Sequence, residues 1–133
     1  MNPDFASFER LLAGMVRSGA SDLFLSEGKS PAYRIDGALR PADDAATPRS
    51  MVESILAATL QPAQRDEFER NGETNTALSL PQVGRFRLNI HLQRGLTGIV
   101  VRRVPAGALT FEELGLPAEL RAWSELRLSL IHI

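Results

Sequence analysis

The stretch from Val83 to Pro105, VGRFRLNIHLQRGLTGIVVRRVP, predicts a β-hairpin to which the rest of the chain must adapt. From Arg85 to Gln93, apolar and polar residues alternate strictly, which is the period-two pattern of a strand with one buried face. Arg94 to Gly98 supplies a glycine-containing turn, and the β-branched run from Ile99 to Val104 is expected to pair back antiparallel. The face expected to be buried consists of Phe86, Leu88, Ile90 and Leu92, and the accessible face of Arg85, Arg87, Asn89, His91 and Gln93.

The accessible face of this hairpin is rich in arginine. A row of fixed cations on a sheet is suited to binding anions, because each guanidinium is permanently charged and can grip two oxygens. An ordinary solvated sheet face would show the same alternation, so the pattern alone leaves both interpretations open.

Composition sets limits on the function. With 133 residues and 44% hydrophobic content, the chain fits one domain, and its 15 basic and 16 acidic residues leave a net charge of −1. Nucleic-acid binding is therefore not indicated, and any anion site must be local. There is no cysteine, which excludes disulfides and thiolate chemistry and fits a reducing cytoplasm. His91 and His132 cannot form a metal site by themselves. No secretory signal or apolar span of about 18 residues is found, so we expect a soluble, cytosolic protein.

The remaining segments predict an α+β domain. A helix starts at Pro3 and stops at Gly19, two short strands cover Asp22–Ser26 and Ala32–Ile35, and Asp36-Gly37 is a hairpin signal before a third. Two more helices are predicted to open at Thr47-Pro48 and at Gln61-Pro62, because proline suits the start of a helix. The second of these helices is mostly polar and is expected to lie on the surface. A strand with Thr76, Leu78 and Leu80 on one face then leads into the hairpin. This order favours helices packed on an antiparallel sheet, as in PAS sensor domains.

Four segments carry a combination of short motifs, including SDL, RIDG, GRFR, QRG and ELGLP. They are GASDLFLSEGKSPAYRIDGALRP (19–41), LPQVGRFRLNIHLQRG (80–95), VVRRVP (100–105) and LTFEELGLP (109–117). In order and spacing they resemble the N-terminal domain of type IV pilus retraction ATPases of the PilT/PilU family, over nearly the whole chain to about Arg127. Phe24, where PilT-like members commonly carry histidine, and the sequence 93–95 favour the PilU branch.

The resemblance implies a PAS-like domain that precedes a RecA-like ATPase domain in a cytoplasmic homohexamer. That motor acts at the inner-membrane pilus platform and drives retraction and twitching motility, and a paralogous retraction ATPase is a further candidate partner. The parent protein would use ATP and Mg. In this family, arginines of the N-terminal domain reach the nucleotide phosphates in the cleft between the domains, and the matching positions are Arg85, Arg87 and Arg102. Arg103 falls where the family often has a small polar residue and is left out.

The chain departs from the family in containing no GxxxxGK[ST] phosphate loop, so as given it cannot hydrolyse ATP and contains no catalytic residue. We expect the PAS-like domain to cover residues 1–120 and a linker to the missing ATPase domain to start at 121–127. Residues 128–133 resemble a translated adapter tail and are expected to be non-native; the alternative is a genuine short apolar strand.

Two other functions stay open at this point. One is the corresponding domain of a type II secretion or pilus extension ATPase, and the other is a stand-alone PAS-like sensor or interaction module. Two further residues favour structural interpretations. Asp22 is expected to cap a strand end, with a functional carboxylate as the alternative, and His91 is expected to be solvated or hydrogen-bonded.

Overall fold

A computed structural model describes residues 3–104 as three helices and six strands, in the predicted order. The elements are α1 (Pro3–Ser18), β1 (Asp22–Ser26), β2 (Ala32–Ile35), β3 (Ala38–Pro41), α2 (Arg49–Thr59), α3 (Pro62–Asn71), β4 (Glu73–Leu80), β5 (Gly84–Gln93) and β6 (Leu96–Val104). The predicted linker at 121–127, the predicted tail at 128–133 and the predicted end of the domain at residue 120 lie outside the described residues.

The strands form one sheet with the order β3-β2-β1-β6-β5-β4, in which every neighbouring pair is antiparallel. The α+β class predicted from the sequence is thereby confirmed. The two long strands of the hairpin, β5 and β6, lie inside the sheet, so that they are paired on both sides.

Helices α1 and α2 bury one face of this sheet. The apolar stripe of α1 contributes Phe8, Leu12 and Met15, because residues three and four positions apart share a helix face. The core also contains Val52, Ile55, Leu23, Leu25, Phe86, Leu88, Ile90, Ile99 and Val101. None of the helices within residues 3–104 is long and apolar enough to cross a membrane.

Helix α3 is the predicted surface helix. Its first turn is closed by a capping box in which the side chains of Gln61 and Gln64 satisfy each other's backbone N–H groups, and Gly72 ends it in the left-handed conformation at φ 74°. None of its residues is buried, and its one large apolar side chain, Phe68, packs partly against the core.

Two-residue turns set the register of two of the hairpins in the sheet. Asp36-Gly37 joins β2 to β3 and Arg94-Gly95 joins β5 to β6, and all four residues have positive φ, as type I′ turns require. The second turn is tighter than the sequence suggested, because Leu96, Thr97 and Gly98 already pair with β5.

Leu92 is the part of the hairpin prediction that is wrong. It lies on the expected face of β5, but 47% of its surface is exposed. The reason is its position next to the turn, where α2 leaves an open groove between Leu56 and the hairpin instead of covering the strand. Phe86, Leu88 and Ile90, which lie under the helices, are buried as predicted.

Tyr33 ties β2 to α1. Its hydroxyl donates a hydrogen bond to the carbonyl of Leu11, and Gly14 permits this approach, since a Cβ there would lie 2.5 Å from the Tyr33 oxygen. Burial raises the pKa of Tyr33 above its ordinary value of 10.0, and the charge of Arg17 opposes that increase while Asp43 adds to it.

His91 packs on a glycine of the next strand. A Cβ at Gly98 would lie 2.6 Å from His91 Nε2, so the imidazole ring occupies the space that a side chain on β6 would fill. The histidine Nδ1 atom is buried and has no hydrogen-bond partner among the described residues. His91 is therefore a packing residue, half-buried rather than fully solvated.

The pKa of Tyr33 predicts a loss of stability in alkali. Because the folded state holds the phenolic proton more tightly, the free energy of unfolding is fully retained below pH 10.0 and falls as the pH rises through the higher folded pKa. Tyr33 is the sole tyrosine, so tyrosinate absorbance during a pH titration reports it directly. A midpoint at or below 10.0 in the folded protein would contradict this, and Tyr33→Phe should abolish the titration and cost about 1 kcal/mol at neutral pH.

The contact between His91 and Gly98 predicts that one substitution has opposite effects in two backgrounds. Gly98→Ala should destabilise the wild-type chain by about 1 kcal/mol, because the new methyl group displaces the ring. In an H91A background the same change should stabilise by about 0.5 kcal/mol, because alanine suits a strand interior better than glycine. Urea unfolding measures both, and an equal cost in the two backgrounds would mean that the ring does not fill this space.

Candidate functional site

The face of the sheet turned away from α1 and α2 carries the predicted site residues. We call it the open face, because no helix of the described chain packs on it. Its members include Asp22, Phe24, Arg34, Arg85, Arg87, Asn89, His91, Val100 and Arg102. Alternation along each strand places them opposite the buried core residues.

Arg85 and Arg87 are exposed, and the buried Phe86 lies between them on the other face. The predicted accessibility of these two arginines is confirmed. In the part of the chain that the structure describes, neither makes an ion pair or a side-chain hydrogen bond. Their charges are thus uncompensated by residues 3–104.

The third predicted residue, Arg102, lies directly across from Arg87 in the β5–β6 pairing. The same register continues through the sheet, since Asp22 on β1 pairs with Arg102 and also with Arg34 on β2. We call these four residues, in the order Arg34, Asp22, Arg102 and Arg87, the charged row. The structure therefore brings all three predicted arginines to one end of one face.

Asp22 is the acidic member of the charged row, and it is only 6% exposed. Its Oδ1 accepts a hydrogen bond from Arg102 Nε at 3.2 Å, and its Oδ2 accepts one from the Ser21 hydroxyl at 2.8 Å. Arg34 Nε lies 3.7 Å from Oδ2. The strand-capping role expected for Asp22 is wrong, because its carboxylate binds side chains of neighbouring strands and of Ser21 rather than backbone at a strand end.

Arg34 is the open-face residue that sequence reasoning missed. Its guanidinium carbon lies 5.2 Å from the centre of the Phe24 ring, within the range of a cation–π contact. The alternation in β2, with Tyr33 buried and Arg34 exposed, was the signal that could have placed it with the other arginines.

A shallow depression of about 320 Å³ lies beside the charged row. Arg87 and Arg102 form its cationic side, and it is also lined by Asn75, Leu88, Asn89 and Val100. The amide of Asn89 donates to Glu73 Oε1 at 2.8 Å and to Asn75 Oδ1 at 3.1 Å, so the polar side of the depression is held in place. Arg103, which was left out of the predicted site, pairs with Phe86 and faces the helix side.

This arrangement can bind an anion but supplies no evident chemistry of its own. Arg87 and Arg102 are like charges placed directly opposite each other, which is unfavourable unless an anion lies between or near them. A phosphate group suits this geometry, because guanidinium donors match its oxygens. Within residues 3–104, no three acidic or histidine side chains come together as a metal site would require.

No family model matches the chain, but it is similar to two type IV pilus ATPases. The chain is 36% identical to the type IV pilus ATPase PilU of Pseudomonas aeruginosa over 114 residues, covering 86% of this chain and 30% of that protein. It is 35% identical to the type IV pilus retraction ATPase PilT of the same organism over 121 residues, covering 91% and 35% respectively. These two identities do not separate the PilU branch from the PilT branch.

Solved structures agree with the sequence matches. The crystal structure of the pilus retraction motor PilT with bound ADP superimposes with a TM-score of 0.74 at 32% identity, over 84% of this chain and 33% of that one. The ATPase DotB of Legionella pneumophila gives a TM-score of 0.69 at 17% identity, over 88% of this chain and 33% of that one, which shows a shared fold. The chain spans about a third of the length of each of these proteins.

The motifs SDL, RIDG, GRFR and QRG, which suggested pilus retraction ATPases, lie on the fold that the PilT structure shares, and the ELGLP motif lies outside the described residues. The chain belongs to the PilT/PilU family of type IV pilus ATPases, in which it corresponds to the N-terminal domain.

Proposed function

We propose that the chain is the N-terminal domain of a type IV pilus retraction ATPase and that its open face binds the phosphates of ATP. The observation that carries this proposal is the placement of Arg85, Arg87 and Arg102 at one end of an uncovered sheet face, with two of them directly opposite each other. Three guanidinium groups so close together favour a polyanion, and the family's ligand supplies one.

The whole motor would consist of this PAS-like domain, residues 1–120, a linker starting at 121–127, and an ATPase domain that supplies the phosphate loop and Mg site. The bound ADP in the PilT structure supports a nucleotide as the ligand of that assembly. We propose that the parent is a homohexamer in the cytoplasm, peripheral to the inner-membrane pilus platform, with the platform protein and a paralogous retraction ATPase as partners. Its work would be pilus retraction and twitching motility.

A related secretion ATPase and a free-standing sensor module are the competing functions. The coding sequence downstream of Arg127 separates them from the proposal. An in-frame phosphate loop there excludes the stand-alone sensor, and flanking pilus genes rather than secretion genes would favour retraction. A natural stop codon after Ile133 would contradict the proposal.

The proposal predicts that each of the three arginines contributes to turnover in the ATPase-containing protein. Replacing Arg85, Arg87 or Arg102 by alanine should lower kcat by roughly 10² or more, as for arginines that stabilise charge in phosphoryl transfer. Lysine should rescue little, because it lacks the bidentate fork. Steady-state ATPase rates at saturating ATP measure this, with sedimentation to verify that assembly is intact.

Arg70 on α3 is the matched control, since its Nε donates to the carbonyl of Asp66 one turn earlier and it lies away from the open face. Arg70→Ala should change the unfolding free energy by less than about 0.5 kcal/mol and leave turnover unchanged. If all three open-face variants behave like Arg70→Ala, the arginines form only a solvated sheet face.

The isolated 133-residue chain, which contains no phosphate loop, should show no ATPase activity and should bind ATP only weakly. A few arginine contacts do not offset the entropy lost when a flexible nucleotide is immobilised. Calorimetric titration of the chain with ATP measures this. An affinity around 1 μM, which corresponds to about −8 kcal/mol, would contradict it.

A further inference from the structure

We propose that Asp22 is a positioning residue, which holds Arg102 by its Nε so that the other guanidinium donors of Arg102 are presented to the nucleotide phosphates. This inference rests on the proposed function, because it concerns how the open face binds its anion. The Asp22 carboxylate was not among the site residues predicted from the sequence.

Contacts of the neighbouring residue Ser21 fix the position of Asp22. The Ser21 backbone N–H donates to the carbonyl of Arg34 at 2.9 Å, and the Arg103 N–H lies 3.4 Å from the carbonyl of Ser21. These contacts join the start of β1 to β2 and to β6. The Ser21 hydroxyl also donates to Asp22 Oδ2 at 2.8 Å, which restricts rotation of the carboxylate.

Arg102 is held by its contact with Asp22. The one hydrogen bond that its side chain makes within residues 3–104 is from Nε to Asp22 Oδ1, at 3.2 Å. The Arg102 side chain remains 72% exposed, whereas that of Asp22 is 8% exposed. A guanidinium has donors on Nε and on two terminal nitrogens, so this contact leaves the terminal donors available to a ligand. The buried carboxylate of Asp22 thus holds the guanidinium of Arg102 at Nε, while the rest of that guanidinium is exposed.

The contact with Asp22 reduces the conformational entropy that Arg102 loses on binding a ligand. A long arginine side chain loses rotamer freedom when it grips a ligand, and an arginine already oriented by a neighbour loses less. Arg85 and Arg87 have no such anchor among the described residues. Of the three arginines proposed to bind phosphate, Arg102 is therefore the one that residues 3–104 orient before the nucleotide arrives.

The negative charge of Asp22 has a second effect, which enzyme kinetics can detect. Asp22 separates Arg34 from Arg102 within the charged row, but its negative charge also opposes phosphate binding on the same face. Removing that charge should strengthen the general attraction for ATP while it weakens the alignment of Arg102. We therefore expect both kcat and KM for ATP to fall, whereas a loss of folded protein would lower the apparent kcat and leave KM unchanged.

The test uses the ATPase-containing protein and the variants Asp22→Asn, Arg102→Ala and their double mutant. Asp22→Asn should lower kcat about 10-fold or more, in keeping with the ~10² that a misplacement near 1 Å can cost. KM for ATP should decrease, and sedimentation verifies that the variant is assembled. In the double mutant, kcat should match that of Arg102→Ala alone, because Asp22 acts through Arg102. Asp66→Asn, which removes an exposed carboxylate on α3 away from the open face, is the matched control and should leave kcat unchanged.

The outcomes separate the two claims. If Arg102→Ala has no effect on kcat, the phosphate-binding role of Arg102 fails, and the inference about Asp22 fails with it. If Arg102→Ala lowers kcat but Asp22→Asn does not, or if the two effects multiply in the double mutant, only the role of Asp22 is overturned.

A second measurement does not depend on how the Asp22 variant folds. In the wild-type 133-residue chain, NMR should show the Nε–H of Arg102 exchanging with solvent more slowly than those of Arg85 and Arg87, with the Arg102 signal assigned from Arg102→Lys. The protection should persist when inorganic triphosphate is added, because the ligand binds the terminal nitrogens. Equal exchange at all three arginines would contradict the inference.

Discussion

The register of the β5–β6 pairing is the constraint on which the site depends. The two-residue turn at Arg94-Gly95 fixes this register, and a slip of one residue would move every side chain of a strand to the other face. With the observed register, Arg87 meets Arg102 on the open face, while Phe86 lies in the core. The packing of α1 and α2 on the core therefore also decides where the cations lie. One face of these strands thus supplies the core, and the other supplies the proposed anion site.

Asp22 connects this register to the short strands of the first half of the chain. It lies between Arg34 and Arg102 in the charged row and forms an ion pair with each of them. The charged row thus runs across β2, β1, β6 and β5. A carboxylate this buried is stable only when it is paired and hydrogen-bonded. The two arginines that it contacts are largely exposed, so these ion pairs add little to the stability of the fold, and the role we propose for them is to present the cations to a ligand.

Much of the fold follows from the sequence because local signals agree with one another. The alternation from Arg85 to Ile90, the hairpin signal at Asp36-Gly37 and the proline that opens α3 each predicted an element that the structure contains. Leu92 was mispredicted because alternation identifies a face and not whether a helix reaches far enough to cover it. The charged row could not be predicted, since the pairing of β1 with β6 joins residues 80 positions apart in Asp22 and Arg102. Short-range patterns carry no information about such a pairing.

The central claim is that the open face binds nucleotide phosphates through its arginines. The most direct test is a structure of the ATPase-containing protein with a non-hydrolysable ATP analogue. Our account predicts that guanidinium nitrogens of at least one of Arg85, Arg87 and Arg102 lie at about 2.7–2.9 Å from phosphate oxygens, the distance of a charge-assisted hydrogen bond, with Asp22 still bound to Arg102 Nε. A nucleotide whose phosphates are held entirely by the ATPase domain, with the open face in contact with solvent or another partner, would contradict it.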